Sequence, residues 1–315
     1  MSGRALRLAH LSDVHLAPMP PARPRTLVNK RIMGWLSWNL KRHRLHRRAI
    51  LDAVVADVRA QGPDHVLVTG DLVNISLPEE YVRAAEWLAA LGPPEVVSVV
   101  PGNHDAYVAG AADRGWRHWA AWMRGDAAAE PVFPYLRRRG FVAILGLSTA
   151  VPSPPGYASG RLGDAQLRDL EARLRHLGDA GLFRIVLLHH PPLPASPSRK
   201  ALEDRKAFRA VIRKAGAELV LSGHEHRFCE GFLAGLEGQV PVFVAPSASH
   251  GGEIPAKRAG YLLVEIAERD DGWQLAVRLR RLAEGGGFTE ELGRQLRLPR
   301  GKAALPVERL VGEAP

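Results

Sequence analysis

Cysteine is nearly absent from this chain. Cys229 is the single one in 315 residues, which excludes an internal disulfide framework, fits a reducing compartment, and leaves a small buried hydrophobe as its default role. Long apolar runs are missing as well, so no stretch reaches the length of a bilayer crossing. The first strand pattern begins a few residues after Met1, too early for a cleaved leader, and a cytoplasmic protein is therefore expected. A third absence is local: no acidic residue lies between Met19 and Arg48, while Arg23, Arg25, Lys30, Arg31, Lys41, Arg42, Arg44, Arg47 and Arg48 crowd the same stretch.

That basic stretch also holds Ile32, Met33, Trp35, Leu36, Trp38 and Leu40, and Leu36 to Leu45 is compatible with helix. Basic residues around exposed tryptophans suit anionic lipid headgroups or a nucleic-acid backbone. The competing reading is a helical insertion that packs its Trp and Leu on the domain and leaves the arginines in water. The rest of the net charge of +10 attracts polyanions without selecting among them.

With 46% hydrophobic residues the chain has enough apolar surface for one large α/β domain. Ala49–Ala60 and Pro78–Leu91 have helical spacing and alternate with short apolar runs, the pattern of a partly parallel sheet. Tyr107, Trp116, Trp119 and Trp122 predict a helix with one aromatic face, which is more often core than binding surface. Helices are expected over Asp164–His176 and Ala201–Ala215, with a breaker-rich loop at Ser153–Gly160 as a possible wall of the site. Val240–Val244, Tyr261–Ile266 and Trp273–Leu279 predict an antiparallel closing half. Residues 1–282 read as one domain with an insertion at about 19–48, and 283–315 as a tail with at most a short helix near Glu290–Leu296.

The chemistry sits where apolar runs stop. Val96–Val100 ends in Pro101-Gly102-Asn103-His104-Asp105, and four other runs end alike. Leu6–Leu11 leads into Asp13-Val14-His15, and His65–Thr69 into Gly70-Asp71. Arg184–Leu188 leads into His189-His190-Pro191, and Glu218–Leu221 into Gly223-His224-Glu225-His226. Strand-end loops are where α/β proteins place reactive groups. Asp13 and His15, like His224 and His226, stand at i and i+2, which on extended chain project to one side. Carboxylate, amide oxygen and imidazole without thiolate suit Mn, Fe, Zn or Co, and seven such ligands exceed the needs of one tetrahedral ion. They suffice for two ions sharing a carboxylate. His10, His65 and His190 read as hydrogen-bonded structural residues. Gly70, Gly102 and Gly223 read as turn residues with unusual φ.

These blocks, in this order and over about residues 5–250, resemble the calcineurin-like metallophosphoesterases. The resemblance implies a sandwich of two mixed β-sheets flanked by helices and a binuclear site. It implies that Asp13, His15 and His226 hold one divalent ion, that Asn103, His189 and His224 hold the other, and that Asp71 bridges. His189 rather than His190 matches the family's ligand, which stands two residues before a proline. His104 matches the histidine that gives a proton to the leaving oxygen, with Asp105 behind it as a second catalytic residue. The activity implied is hydrolysis of a phosphate ester by water activated between two metals, with a phosphodiesterase acting on a small or nucleotide-like substrate as the leading reading. Cyclic-nucleotide and glycerophosphodiester enzymes often carry a charged residue where Tyr107 stands, which counts against those substrates. The alternatives are a pyrophosphatase of a lipid-linked nucleotide at the inner face of the membrane, resembling the UDP-diacylglucosamine hydrolases, a nuclease, and a non-catalytic scaffold like the retromer subunit. The first usually has Arg at the position of His104. The last has lost ligands that this chain keeps.

Overall fold

In a computed structural model that describes residues 4–194, 198–236, 238–300 and 309–310, two mixed β-sheets pack face to face with helices outside. Strands β1 (Ala5–Leu11), β2 (His65–Val68) and β3 (Val97–Val99) run parallel in the first sheet. The second sheet opens with the antiparallel pair β4 (Tyr135–Arg139) and β5 (Val142–Gly146). It continues in parallel through β6 (Phe183–Leu187) and β7 (Leu219–Ser222), and β8 (Cys229–Ala234) lies antiparallel to β9 (Gln239–Val244) at its far edge. The chain then returns to the first sheet. β10 (Gly260–Arg269) lies antiparallel to β1, and β11 (Gly272–Leu282), β12 (Phe288–Pro299) and β13 (Arg309–Leu310) extend that edge.

Two-sided burial explains why the parallel strands read as continuous apolar runs. Leu8 faces the space between the sheets, where it joins Ile185 and Phe243, while Ala9 and Leu11 face outward into a second core. That outer core is covered by α3 (Arg48–Ala60) and α4 (Pro78–Leu91), which follow the short helices α1 (Arg31–Ser37) and α2 (His43–Leu45) of the insertion. On the other flank Val186 and Leu188 meet α6 (Asp164–Asp179) and α7 (Arg205–Ala215).

Several expectations need correction. The aromatic segment is a short α5 (Ala111–Gly115) followed by 3-10 turns, not one helix, although Trp119 is buried against Tyr81 as core. Val240–Val244 is not part of the antiparallel half, because β9 pairs in parallel with β7 in the other sheet. Residues 290–296 form no helix. They lie in β12, whose apolar alternation is completed by pairing along the whole length of β11, a partner that local periodicity does not reveal. β4 and β8 were not anticipated from their charged, weakly alternating sequences.

One buried ion pair ties the second sheet to its helices. Arg184 donates from Nε and Nη2 to Glu218 at 2.9 and 2.7 Å, and from Nη1 to the carbonyls of Leu174 in α6 and Ala215 in α7. Both side chains are almost completely enclosed, so removing one partner strands a charge. Glu218→Ala is expected to cost about 3–5 kcal/mol in urea unfolding, whereas replacing an exposed partner such as Asp52 of the Arg48–Asp52 pair costs under about 1 kcal/mol.

Candidate metal centre

The carboxyl ends of β1, β2, β3, β6 and β7 meet along one edge of the sandwich, and the loops leaving them carry Asp13, His15, Asp71, Asn103, His104, His189, His224 and His226. The chain does not remain extended there. Asp13, His15, Asp71, His224 and His226 all have left-handed backbone, with φ between 41° and 74°. Such conformations are rare for residues with a side chain and persist only where the surroundings impose them. The side chains at i and i+2 therefore converge by turning twice into left-handed backbone, not by the alternation of a strand.

Several contacts impose that shape. Asp13 N, His15 N and Leu16 N donate to the carbonyls of Gly70, Asp71 and Leu72, locking the two loops together. Asp105 lies beneath them, fully buried. Its carboxylate accepts the N–H groups of Gly102, Asp71, Leu72 and Val73 at 2.8–3.2 Å. Buried Glu80 does the same for Asn74, Ile75 and Leu77, and so caps α4 as well. Gly70 has a positive φ, but Gly102 and Gly223 do not, contrary to the expectation for all three. They are glycines for want of room: a Cβ on Gly102 would stand 2.2 Å from Asp71 Oδ1, and one on Gly223 1.7 Å from Ser12 Oγ.

Asp71 is central. Its Oδ2 lies 3.6 Å from His15 Nε2 and 3.5 Å from His189 Nε2, between two groups of donor atoms. On one side His226 Nε2 stands 3.1 Å from Asp13 Oδ1 and 3.2 Å from His15 Nε2. On the other, Asn103 Oδ1 lies 3.2 Å from His189 Nε2 and 3.1 Å from His224 Nδ1. His189 gives its Nδ1–H to Thr69 O at 2.6 Å, which aims the Nε2 lone pair at Asp71 and Asn103. Asp13 Oδ1 and His224 Nε2 are buried here without a hydrogen-bond partner among the described residues. Oxygens and bare ring nitrogens facing one another with acceptors left over are a donor set that a cation satisfies, and these residues fit two divalent ions.

His190, though its ring packs 4.4 Å from His224, is bonded through Nδ1 to Thr149 and through Nε2 to Ala158 O. His10 bonds Thr69 and His65 bonds Ser98, as structural residues do. His104 lies at the rim, its Nδ1 bonded to Asn74 O at 2.5 Å and its ring stacked on Tyr107. Burial depresses its pKa to about 4. Asp105, expected behind that ring, has its oxygens hydrogen-bonded to backbone N–H groups of Gly102 and of the neighbouring loop.

The insertion supplies what the sequence motifs omit. Arg42 places Nη2 2.9 and 3.2 Å from the two ring nitrogens of His15. His46 bonds Ser249 through Nδ1 and packs its ring 4.5 Å from that of His15. Trp38 is buried and lies parallel to the His46 ring, so it is not an exposed tryptophan. Lys30 spans to the expected wall loop, donating to Ser153 O, Ser153 Oγ and Tyr157 O; burial lowers its pKa to about 8. The resulting cleft of about 380 Å³ is lined by Lys30, Arg42 and Lys200 as well as by Asp71, His104 and Tyr107. For Lys30, Trp38, Arg42 and His46 the signals in the sequence are the acid-free run of 19–48 and its place directly after Asp13 and His15.

Known proteins resemble this chain over most of its length. A model of the calcineurin-like phosphoesterase family matches residues 6–228. A probable cyclic nucleotide phosphodiesterase of Synechococcus is 28% identical over 86% of this chain and 91% of its own length. A glycerophosphodiester phosphodiesterase of Enterobacter lignolyticus is 29% identical over 70% of each chain. Among solved structures, a dimetal phosphatase from Danio rerio is 15% identical with a TM-score of 0.57, covering 88% of this chain and 96% of its own. A purple acid phosphatase from yellow lupin is 14% identical with a TM-score of 0.58, covering 93% of this chain and 54% of its own. At such identities the structural likeness speaks for the fold alone.

The anchoring role read for Asp105 is testable. Asp105→Ala strands four buried N–H groups and is expected to lower the urea-unfolding free energy of metal-free protein by about 3 kcal/mol or more. Unchanged stability, with turnover alone reduced, would return Asp105 to a catalytic role.

Proposed function

Since the chain belongs to the calcineurin-like phosphoesterase family, we propose that it is a binuclear-metal phosphodiesterase acting on a small or nucleotide-like diester. The observation that carries this is Asp71 Oδ2, placed almost equally between His15 and His189. We assign Asp13, His15 and His226 to one ion, Asn103, His189 and His224 to the other, and Asp71 to both, with Mn, Fe, Zn or Co as the metals. When bound, the two ions supply the positive charge that activates a water molecule and offsets charge growing on the phosphoryl oxygens.

The remaining steps belong to the side chains around the cleft. Arg42 and Lys200 face a substrate that is itself anionic, and they orient its free phosphoryl oxygens. Asn74 O takes the Nδ1–H of His104, so Nε2 is the atom turned to the substrate. Burial keeps the empty ring neutral, but a bound anion favours the imidazolium. Its Nε2–H then passes to the leaving oxygen as the ester P–O bond breaks and a water oxygen takes its place on phosphorus. The catalytic assignment is to His104, with Asp105 as a positioning residue beneath the loop. The relatives' names favour a diester over a lipid-linked pyrophosphate. No helix among the described residues is long and apolar enough to cross a membrane, and we place the enzyme in the cytoplasm on its cysteine content.

Metal-stripped protein refilled with Mn or Zn is expected to cleave bis(p-nitrophenyl) phosphate faster than p-nitrophenyl phosphate. His104→Ala should lower kcat by about 10²–10⁴-fold with metal content intact. Arg42→Ala should lower kcat/KM by roughly 10-fold or more, for loss of a charged hydrogen bond. Asp71→Ala should lose metal and activity together; retention of both ions and full rate would contradict the bridging assignment.

A further inference from the structure

The insertion presents two rows of side chains at a spacing of four, and the rows do different things. Lys30, Gly34, Trp38, Arg42 and His46 face the domain. Gly34 brings α1 so close that a Cβ there would stand 2.4 Å from Ile75 and 2.8 Å from the Tyr107 hydroxyl. Arg31 donates to Ile75 O and Ser76 O, and residue 46 forms a β-bridge with residue 250. A π-helical turn at Trp38–Arg42 continues α1, its wider winding keeping residues four apart on one line.

The opposite row, Val28 in the turn before α1 and then Ile32, Leu36 and Leu40 along the helix, points away from the domain. Val28 is 84% and Leu40 75% exposed, and Ile32 and Leu36 are nearly half exposed. Scattered exposed apolar residues are ordinary, but a row along a rigidly anchored helix is not. In the same stretch Arg23, Arg25, Lys41, Arg44 and Arg47 are exposed, and no acidic residue lies between 19 and 48. Such a face repels a second copy of itself. Its central line is aliphatic, with exposed Ser37 and Asn39 and half-buried Trp35 beside it, and a nucleic-acid backbone has no use for a central apolar line. An exposed aliphatic row within an exposed, acid-free basic stretch matches an anionic bilayer surface, where the apolar row enters the interface and the cations meet headgroups.

We propose that the outer face of residues 23–47 docks this protein peripherally on anionic membranes. Met33 lies on the same helix, is half exposed, and also lines the metal cleft, so docking sets the mouth of the site beside the lipid surface. The docking face contains no residue of the metal centre, so the proposal stands independently of the substrate.

The test is co-sedimentation of the full chain with vesicles of phosphatidylcholine and phosphatidylglycerol in equal parts, with pure phosphatidylcholine vesicles beside them. The Leu36→Asp/Leu40→Asp variant is compared after thermal melting has shown it folded, and bis(p-nitrophenyl) phosphate hydrolysis reads the site independently. The unaltered protein should pellet with the anionic vesicles at low ionic strength and be released by salt, and it should stay in solution with the neutral ones. The variant should lose pelleting while keeping its melting curve and its rate. The proposal is overturned if the unaltered protein ignores anionic vesicles, or if the variant pellets equally well. It is also overturned if the variant's only change is from dimer to monomer in solution, or if the protein ignores vesicles and retains duplex DNA instead.

Discussion

The buried carboxylate of Asp105 holds the structure's chemistry in place. By accepting four N–H groups it pins the loop after β2 against the turn after β3. That loop in turn bonds the segment 13–16, and Asp13 accepts the N–H of His224. One acceptor beneath the surface thus constrains chain segments more than 200 residues apart. The cost appears as left-handed backbone at five of the seven assigned ligands. A site that must gather donors from five strand ends cannot do so with relaxed backbone alone, and the glycines at 70, 102 and 223 give the crowded loops room to touch.

The second organising feature is electrostatic. Asp71 lines a cleft whose other charged walls are Lys30, Arg42 and Lys200. Hydrogen bonds and nearby imidazoles hold Asp71 well below the usual carboxylate range, despite its burial. Two of those three cations come from the insertion. The segment therefore belongs to the site as well as to the surface: one row of its residues completes the cleft and the other is left to solvent.

Much of this was legible in the chain. Five apolar runs ending in Asp, Asn and His mark the parallel strands and the loops that meet at one edge, because two-sided burial writes itself as uninterrupted hydrophobicity. The family match and the two mixed sheets agree with that reading. What escaped were features set by long-range partners. β12 was taken for tail with a short helix since its mate, β11, is what makes its alternation a strand. Asp105 reads as a catalytic partner from its place beside His104, and the N–H groups its carboxylate accepts, 32 to 34 residues away, are not visible from that neighbourhood. Arg42 reads as one charge in a basic run and nothing in the sequence singles out His46, and only the packing of Trp38 and Gly34 on the domain turns them inward. The i and i+2 spacing does bring the paired side chains together, but through left-handed turns and not through extended chain.

The central claim is that a single carboxylate, Asp71, joins two metal positions. Electron paramagnetic resonance of the Mn-loaded protein tests it most directly, with metal content measured on the same sample. The account predicts two Mn per chain and the multiline spectrum of a spin-coupled pair. A single bound ion, or two ions with the spectrum of isolated Mn, would contradict it.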